Sequence, residues 1–229
     1  MMTISLSDVS KRFNRDWIFR NFNYKFSSEH SYAITGPNGS GKSTLLQVIG
    51  GAISMSEGEI EYRVGSRESG VGSPEMEVGE AGGRNPGGSV IVPADLAYQY
   101  ISLAAPYLEV IEEMTAIEFL DFHRKFKPLL SGCTVLQILS TIGLEKAARK
   151  QIRFYSSGMK QRIKLAQAIF SDTPCILLDE PCTNLDSEGI ELYRRMIDGY
   201  CKGRLVIVSS NDIAEYSFCK ERISILDYK

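Results

Sequence analysis

The sequence lacks a long hydrophobic run and an excess of positive charge. Of its 229 residues, 43% are hydrophobic and 24% are charged, and 26 Lys and Arg against 28 Asp and Glu give a net charge of −2. Such a balance gives no support to nucleic-acid binding, and no nucleic-acid partner is expected. The densest apolar stretches, 175–178 and 205–208, fall well short of the roughly 18 apolar residues that a membrane-spanning helix needs. They have the length of buried strands.

Paired cysteines and a secretory signal are also missing. The sequence has five cysteines, an odd number, and no two of them have the spacing of metal ligands. We therefore interpret them as reduced packing residues in a reducing compartment. Residues 1–11 contain no apolar core of a signal peptide. We therefore expect the chain to be cytoplasmic, or to reach a membrane through another subunit.

Strand-like and helix-like patterns alternate along the chain. Alternating apolar residues predict strands in the first 35 residues, and short apolar runs predict others at 100–104, 175–178, 205–208 and 222–226. Apolar residues at helical spacing predict helices at 43–49, 116–127, 134–150, 157–170 and 187–200. Strands that alternate with helices are typical of a mostly parallel sheet wrapped by helices.

One segment, 65–88, departs from these patterns. Its 24 residues include eight of the 20 glycines of the chain, together with Pro74 and Pro86, and almost no large apolar side chain. Such a segment buries too little surface to offset its ordering entropy. We interpret it as a flexible surface insertion, and the alternative is a functional lid.

A glycine-rich loop is the strongest chemical signal. It matches the pattern G-x-x-x-x-G-K-[ST], follows a predicted strand and opens a predicted helix. Glycines let the backbone N–H groups turn toward phosphate oxygens, and the helix N-terminus adds positive charge. In this pattern Lys42 reaches the β- and γ-phosphates and the Ser43 hydroxyl binds Mg²⁺. The predicted site for ATP and Mg²⁺ consists of Gly36, Pro37, Asn38, Gly39, Ser40, Gly41, Lys42, Ser43 and Thr44.

Two acids, Asp179 and Glu180, follow the apolar run at 175–178. At the carboxyl end of a strand in a parallel sheet, such residues face the ligand crevice. We assign Asp179 to the metal ion and Glu180 to orienting or deprotonating an attacking water. An apolar run followed by Asp-Glu is a weak signal alone, and the phosphate loop makes it strong.

With these two elements in place, the chain resembles an ATP-binding cassette (ABC) ATPase. Residues 155–162 are similar to the family's signature, commonly Leu-Ser-Gly-Gly-Gln, through Ser156, Ser157 and Gly158. Residues 184–186 resemble the family's D-loop, which ends in Asp186. The order and spacing of these motifs are highly specific, and the resemblance covers nearly the whole chain outside 65–88.

This resemblance implies an α/β P-loop NTPase fold in a single domain over 1–229. The fold would have a central, mostly parallel sheet, an N-terminal antiparallel β subdomain and a helical signature subdomain at about 107–165. Two cassettes, as a homodimer or heterodimer, would face head to tail, with each ATP between the phosphate loop of one and the signature of the other. Phe13 lies where the family stacks an aromatic on adenine, and Trp17 is the competing candidate.

Three departures from the family pattern stand out. In the signature, Ser157 and Met159 replace Gly and Gln. At the position of the family's switch histidine stands Asn211, which can hydrogen-bond the γ-phosphate but cannot carry a proton, so we expect slow hydrolysis that still needs Glu180. The family's glutamine loop would place its Gln at Pro106, and the nearest glutamine is Gln99. Either that contact is absent or the insertion shifts the alignment.

The resemblance implies an ATP-hydrolysing cassette of a membrane ABC transporter, peripheral at the inner face of the cell membrane. It would dock on integral membrane subunits through 105–113. A soluble cassette, for example in iron–sulfur cluster assembly, is one alternative. A regulatory cassette that binds ATP and hydrolyses it slowly is another.

Overall fold

The computed structural model describes residues 1–65 and 88–229. Residues 66–87, which make up most of the predicted insertion, lie outside the described residues. In chain order the strands and α-helices are β1 (Met2–Phe13), β2 (Asp16–Ser27), β3 (Ser31–Thr35), α1 (Lys42–Ile49), β4 (Glu57–Gly65), β5 (Ser89–Val92), β6 (Ile101–Ala104), α2 (Ala116–His123), α3 (Val135–Thr141), α4 (Ser157–Ile169), β7 (Cys175–Asp179), α5 (Ser187–Tyr200), β8 (Leu205–Ser209), α6 (Ile213–Tyr216) and β9 (Glu221–Ser224).

A five-stranded parallel sheet forms the centre, in the order β6-β7-β8-β3-β9. Every residue of β7 and of β8 is buried, which fits a parallel sheet covered on both faces. Along β7 the side chains alternate between two cores, since Ile176 and Leu178 belong to one and Cys175 and Leu177 to the other. The predicted mostly parallel sheet wrapped by helices is confirmed.

The N-terminal half adds a four-stranded antiparallel sheet, in the order β2-β1-β4-β5. Phe22 and Phe26 of β2 are fully buried and share a core with Leu45 and Leu46 of α1. This core fixes α1 between the two sheets, and the N-terminus of α1 therefore has a defined place beside β2.

Helices α2 to α5 cover the other face of the parallel sheet. Thr115 begins α2 with a capping box to Glu118, and Thr134 begins α3 with a capping box to Gln137. These boxes satisfy free N–H groups at the first turn of each helix, so both helices begin where the sequence places them.

The structure corrects several predicted boundaries. The helix predicted at 134–150 ends at Thr141, because Gly143 adopts φ +69° and two short 3-10 turns follow. The helix predicted at 116–127 ends at His123. The strand predicted at 222–226 is β9, which ends at Ser224, and the Ser224 hydroxyl accepts from the Leu226 N–H to begin a 3-10 turn.

Strands β4 and β5 were not predicted. Strand β4 ends at Gly65, the first residue of the predicted insertion, and β5 begins at Ser89, directly after its last residue. Gly65 and Ser89 pair across this antiparallel junction.

Across the described residues, no helix has the length and apolar character required to cross a membrane.

Candidate functional site

The phosphate loop joins β3 to α1 and curls through three glycines with positive φ: Gly36 at +146°, Gly39 at +76° and Gly41 at +98°. Neighbouring side chains leave no room for larger residues at two of them. A Cβ atom at Gly41 would lie 2.4 Å from Ile18 Cγ2, and one at Gly36 would lie 2.6 Å from Ile225 Cγ2. The fold thus requires glycine here on both conformational and steric grounds.

Lys42 is almost fully buried in the loop, with 5% of its surface exposed. Its ammonium donates to the carbonyl oxygens of Gly36, at 2.8 Å, and of Pro37, at 3.3 Å. The Ser40 hydroxyl is buried without a hydrogen-bond partner. A buried cation at a helix N-terminus, beside an unused hydroxyl, is suited to an anion such as a phosphate group.

The acid pair stands at the carboxyl end of β7, next to this loop. Asp179 is 1% exposed, and its Oδ1 is buried without a hydrogen-bond donor. Burial raises the pKa of Asp179, whereas the neighbouring hydroxyls of Ser43 and Ser209 lower it. A buried carboxylate beside a serine hydroxyl forms an all-oxygen donor set, which fits a hard cation such as Mg²⁺.

Glu180 follows at a strained turn. Its φ is +42°, a left-handed conformation that costs a non-glycine residue about 1–3 kcal/mol. Its N–H donates to the Ser209 carbonyl at 2.9 Å, and its own carbonyl accepts from the Thr183 N–H at 3.1 Å. Strained residues held in this way cluster at active sites. The turn carries Glu180 beyond the end of the sheet, next to Asp179.

Asn211 contacts the phosphate loop directly. Its Nδ2 donates to Asn38 Oδ1 at 2.9 Å, and its Oδ1 accepts from the Gly36 N–H at 3.3 Å. The two histidines lie elsewhere, His30 in the turn before β3 and His123 on α2, hydrogen-bonded to Ser171. The structure therefore brings Asn211, and neither histidine, to the phosphate loop.

The residues of the predicted signature and of the predicted D-loop form a second, separate region. Ser156 caps α4 by accepting from the Met159 N–H at 3.3 Å, and Gly158 lies so near the D-loop that an added Cβ would approach the Asn184 carbonyl to 3.0 Å. A cleft of about 480 Å³ is lined by Ser156, Ser157, Gly158 and residues 184–186, among others. No phosphate-loop residue lines that cleft.

Asp186, the acid of the predicted D-loop, is engaged within its own chain. Its carboxylate caps α5 by accepting from the Gly189 N–H at 2.8 Å, and Arg162 of α4 lies 3.8 Å away. These contacts hold the D-loop against α4. The side chain of Asp186 remains largely exposed, at 72%.

The two adenine candidates differ in their surroundings. Phe13 ends β1 with 49% of its surface exposed, and the Lys11 ammonium lies 4.8 Å from its ring centre. Trp17 has two guanidinium groups near its ring, from Arg12 at 5.3 Å and Arg20 at 4.8 Å. The Trp17 ring is thus engaged by two side chains and the Phe13 ring by one.

The loop after β6 contains a contact that the sequence did not predict. The Tyr107 side chain lies near Gln47 of α1 and near Asp179, and burial and then the charge of Asp179 raise its pKa to about 12. Gln99 instead hydrogen-bonds Tyr98, and the Pro106 carbonyl accepts from Lys164 of α4. Tyr107 directly follows Pro106, the position where the family has its glutamine. That position is the sequence signal that could have indicated a role for Tyr107 near the phosphate loop.

Comparisons with known proteins agree with this geometry. The family model described as ABC transporter matches residues 19–183, well over half of the chain. The lantibiotic transport ATP-binding protein SrtF of Streptococcus pyogenes is 26% identical over 226 residues, which cover 97% of this chain and 86% of SrtF. The cytochrome c biogenesis ATP-binding export protein CcmA of Rhizobium etli is 27% identical over 217 residues, with coverages of 92% and 88%.

Solved structures share the fold. A putative ABC transporter ATP-binding protein from Pyrococcus furiosus superimposes with a TM-score of 0.73 at 18% identity and covers 99% of each chain. The cassette MJ0796, in a dimeric post-hydrolysis state bound to ADP and Pi, gives a TM-score of 0.72 at 24% identity, with 96% of this chain and 93% of that chain covered. The family match includes the phosphate loop and the acid pair. This chain therefore belongs to the ABC transporter family, as an ATP-binding and ATP-hydrolysing cassette.

Proposed function

We propose that this cassette supplies ATP hydrolysis to a membrane transporter, as one of two cassettes that close around ATP at the inner face of the cell membrane. The observation that carries the proposal is that two helix N-termini open into two separate regions of one chain, and each is suited to an anion. The N-terminus of α1 lies in the phosphate loop, while that of α4 opens into the cleft beside the D-loop. A second cassette, facing head to tail, would join one end of each kind around each ATP.

The residues of the phosphate loop and the acid pair divide the work in this proposal. Lys42 and the loop N–H groups bind the β- and γ-phosphates. Ser43 and Asp179 would hold Mg²⁺, which neutralises phosphate charge when bound. Glu180 orients the attacking water and accepts its proton. Asn211 donates a hydrogen bond to the γ-phosphate.

The signature residues act on the partner's nucleotide in the same scheme. Ser156 and the backbone of Ser157 and Gly158 contact the γ-phosphate held by the other cassette, and the D-loop at Asp186 lies beside that contact. Phe13 stacks on adenine within its own chain. We further propose that residues 107–165, which contain α2 and α3, form a helical subdomain that carries the signature.

The loop at 105–113 is our candidate for the surface that contacts the membrane subunits. It exposes the apolar side chains of Tyr107, Leu108 and Ile111, at 45%, 36% and 38%. Lys160 of α4 forms an ion pair with Glu112 of this loop. A membrane subunit that binds this loop would thus be linked through this ion pair to α4, the helix that begins in the signature. The names of SrtF and CcmA describe transport and export proteins, which supports a membrane partner.

Purification from membranes tests this function. We expect the tagged chain, extracted in mild detergent, to bring along a hydrophobic subunit with several spanning helices. A Leu108→Asp, Ile111→Asp double variant should lose that subunit, whereas Leu136→Asp, at a residue of α3 that is 64% exposed, should retain it. Recovery only in the soluble fraction, without such a subunit, would contradict the transporter proposal.

A second candidate is a regulatory cassette that binds ATP and hydrolyses it slowly. Asn211 favours it, because an amide cannot relay a proton and this one is already hydrogen-bonded to Gly36 and Asn38. In that case the cassette would bind ATP with ordinary affinity, while its turnover would increase when a histidine replaces Asn211.

A further inference from the structure

Glu180 is held in its left-handed conformation by more than its own hydrogen bonds. Pro181 follows it and has no N–H, so Cys182 offers the first backbone donor beyond Glu180. The Cys182 N–H donates to Glu215 Oε1 at 2.6 Å, and the Pro181 carbonyl accepts from Gln161 of α4 at 2.7 Å. Both contacts are buried. Two buried side chains therefore hold the turn after Glu180, the amide of Gln161 and the carboxylate of Glu215.

Glu215 is an unusual residue for this place. It lies on α6, only 4% exposed, and its second oxygen, Oε2, is buried without a hydrogen-bond partner. Burying a carboxylate is costly unless it is paired, so packing alone would favour an apolar side chain. Tyr193 of α5 donates its hydroxyl to the Glu215 carbonyl at 2.8 Å, which fixes the backbone from which the side chain extends.

The segment that carries Glu215 also carries Asn211. Asp212 accepts from the N–H of Ala214 at 2.8 Å, and its carbonyl accepts from the Glu215 N–H at 3.0 Å, so residues 211–215 form one short, bonded unit. At its start this unit is hydrogen-bonded to the phosphate loop through Asn211, and at its end to the Glu180 turn through Glu215.

We propose that Glu215 is a positioning residue, which holds Glu180 against the phosphate loop by accepting the Cys182 N–H. The proposal rests on the role proposed above for Glu180. This role requires the Glu215 side chain to be long enough to accept the Cys182 N–H. It does not require a negative charge on that side chain. A movement of the phosphate loop that displaces Asn211 would then also displace the water-orienting carboxylate.

Two substitutions separate reach from charge. Glu215→Gln keeps an acceptor oxygen at the same distance and removes the charge, while Glu215→Asp keeps the charge and shortens the side chain by one methylene. In single-turnover hydrolysis at saturating ATP, we expect Glu215→Asp to lower the rate constant roughly ten- to a hundredfold, as for a catalytic group misplaced by about 1 Å. We expect Glu215→Gln to stay within about threefold of the parent, a small change beside that loss.

The dissociation constant of ATP, measured by equilibrium binding, should be unchanged in both variants, because Glu215 does not line the phosphate loop. Glu188→Asp, at an exposed position in the first turn of α5, is the matched control and should behave like the parent. Glu215→Asp with the parent's rate constant would overturn the inference, as would Glu215→Gln impaired as strongly as Glu215→Asp. A parallel loss of ATP affinity and rate would also overturn it.

Glu180→Gln, measured alongside, separates this inference from the proposal beneath it. If Glu180→Gln is inactive and Glu215→Asp is fully active, only the role of Glu215 is wrong. If Glu180→Gln hydrolyses ATP like the parent, both the role of Glu180 and that of Glu215 are wrong.

Discussion

Among the three glycines of the phosphate loop that have a positive φ, Gly41 leaves the least room for a side chain, so replacing it by alanine is the strongest steric test of the loop. Gly41 precedes α1 in a left-handed conformation, with φ +98° and ψ +9°. An alanine methyl group there would lie 2.4 Å from Ile18 Cγ2 on β2, far inside contact distance. Gly39 is a matched control, since it also has a positive φ, +76°, but an added Cβ meets nothing within 4 Å.

The expected magnitudes follow from these two environments. A left-handed backbone costs an alanine about 1–2 kcal/mol relative to glycine, and both variants carry this term. Overpacking adds about 1–3 kcal/mol, and only Gly41→Ala carries it. We therefore expect Gly41→Ala to lower the free energy of unfolding by about 2–5 kcal/mol and Gly39→Ala by about 1–2 kcal/mol.

Urea unfolding of the nucleotide-free protein measures the difference, and a double-mutant cycle identifies its cause. Adding Ile18→Ala to Gly41→Ala should recover about 1–3 kcal/mol relative to the sum of the single changes. If Gly41→Ala and Gly39→Ala were equally stable, the claim that Ile18 of β2 leaves no room for a side chain at position 41 would be refuted.

Three further predictions concern separate parts of the molecule. Phe13→Ala should weaken ATP binding by about 1–3 kcal/mol, the typical contribution of aromatic stacking on a base. Trp17→Ala should weaken it less. If equilibrium binding gave the reverse order, Trp17 would be the adenine contact. Asn211→His should raise the single-turnover rate constant, and an unchanged rate would show that the missing histidine does not limit hydrolysis. Burial lowers the pKa of His123 to about 4 from 6.5, so the unfolded state takes up this proton first as the pH falls. The free energy of unfolding should then decline between pH 6.5 and about 4, and His123→Gln should reduce that slope; equal slopes would contradict it.

The parts of the site that depend on local sequence could be predicted. The phosphate loop and the acids after 175–178 each follow from residue types at fixed spacing, because adjacent residues supply the curled backbone and the strand end. Asn211 could be placed by its distance from the strand at 205–208. The contacts that hold these pieces together could not, since Glu215 and Tyr107 act on residues more than thirty positions away.

The errors in the predicted secondary structure also come from contacts between residues that are distant in sequence and from single residues that decide the backbone. Leu144, Ala148 and Ile152 are all buried and four residues apart, so they continue the helical period of α3 although the chain runs there through 3-10 turns. Periodicity reports which side chains face the core, whereas the backbone is decided by Gly143. Strands β4 and β5 were missed because their pairing spans the segment at 66–87.

Association of the cassette on ATP tests the central claim most directly, because the claim is that each ATP site needs two chains. Glu180→Gln should bind ATP without hydrolysing it, so light scattering should show its mass double when ATP and Mg²⁺ are added. The same variant with Lys42→Ala should stay at the mass of one chain. A Glu180→Gln protein that binds ATP to saturation and stays monomeric, both alone and with any cassette that co-purifies from membranes, would contradict the account.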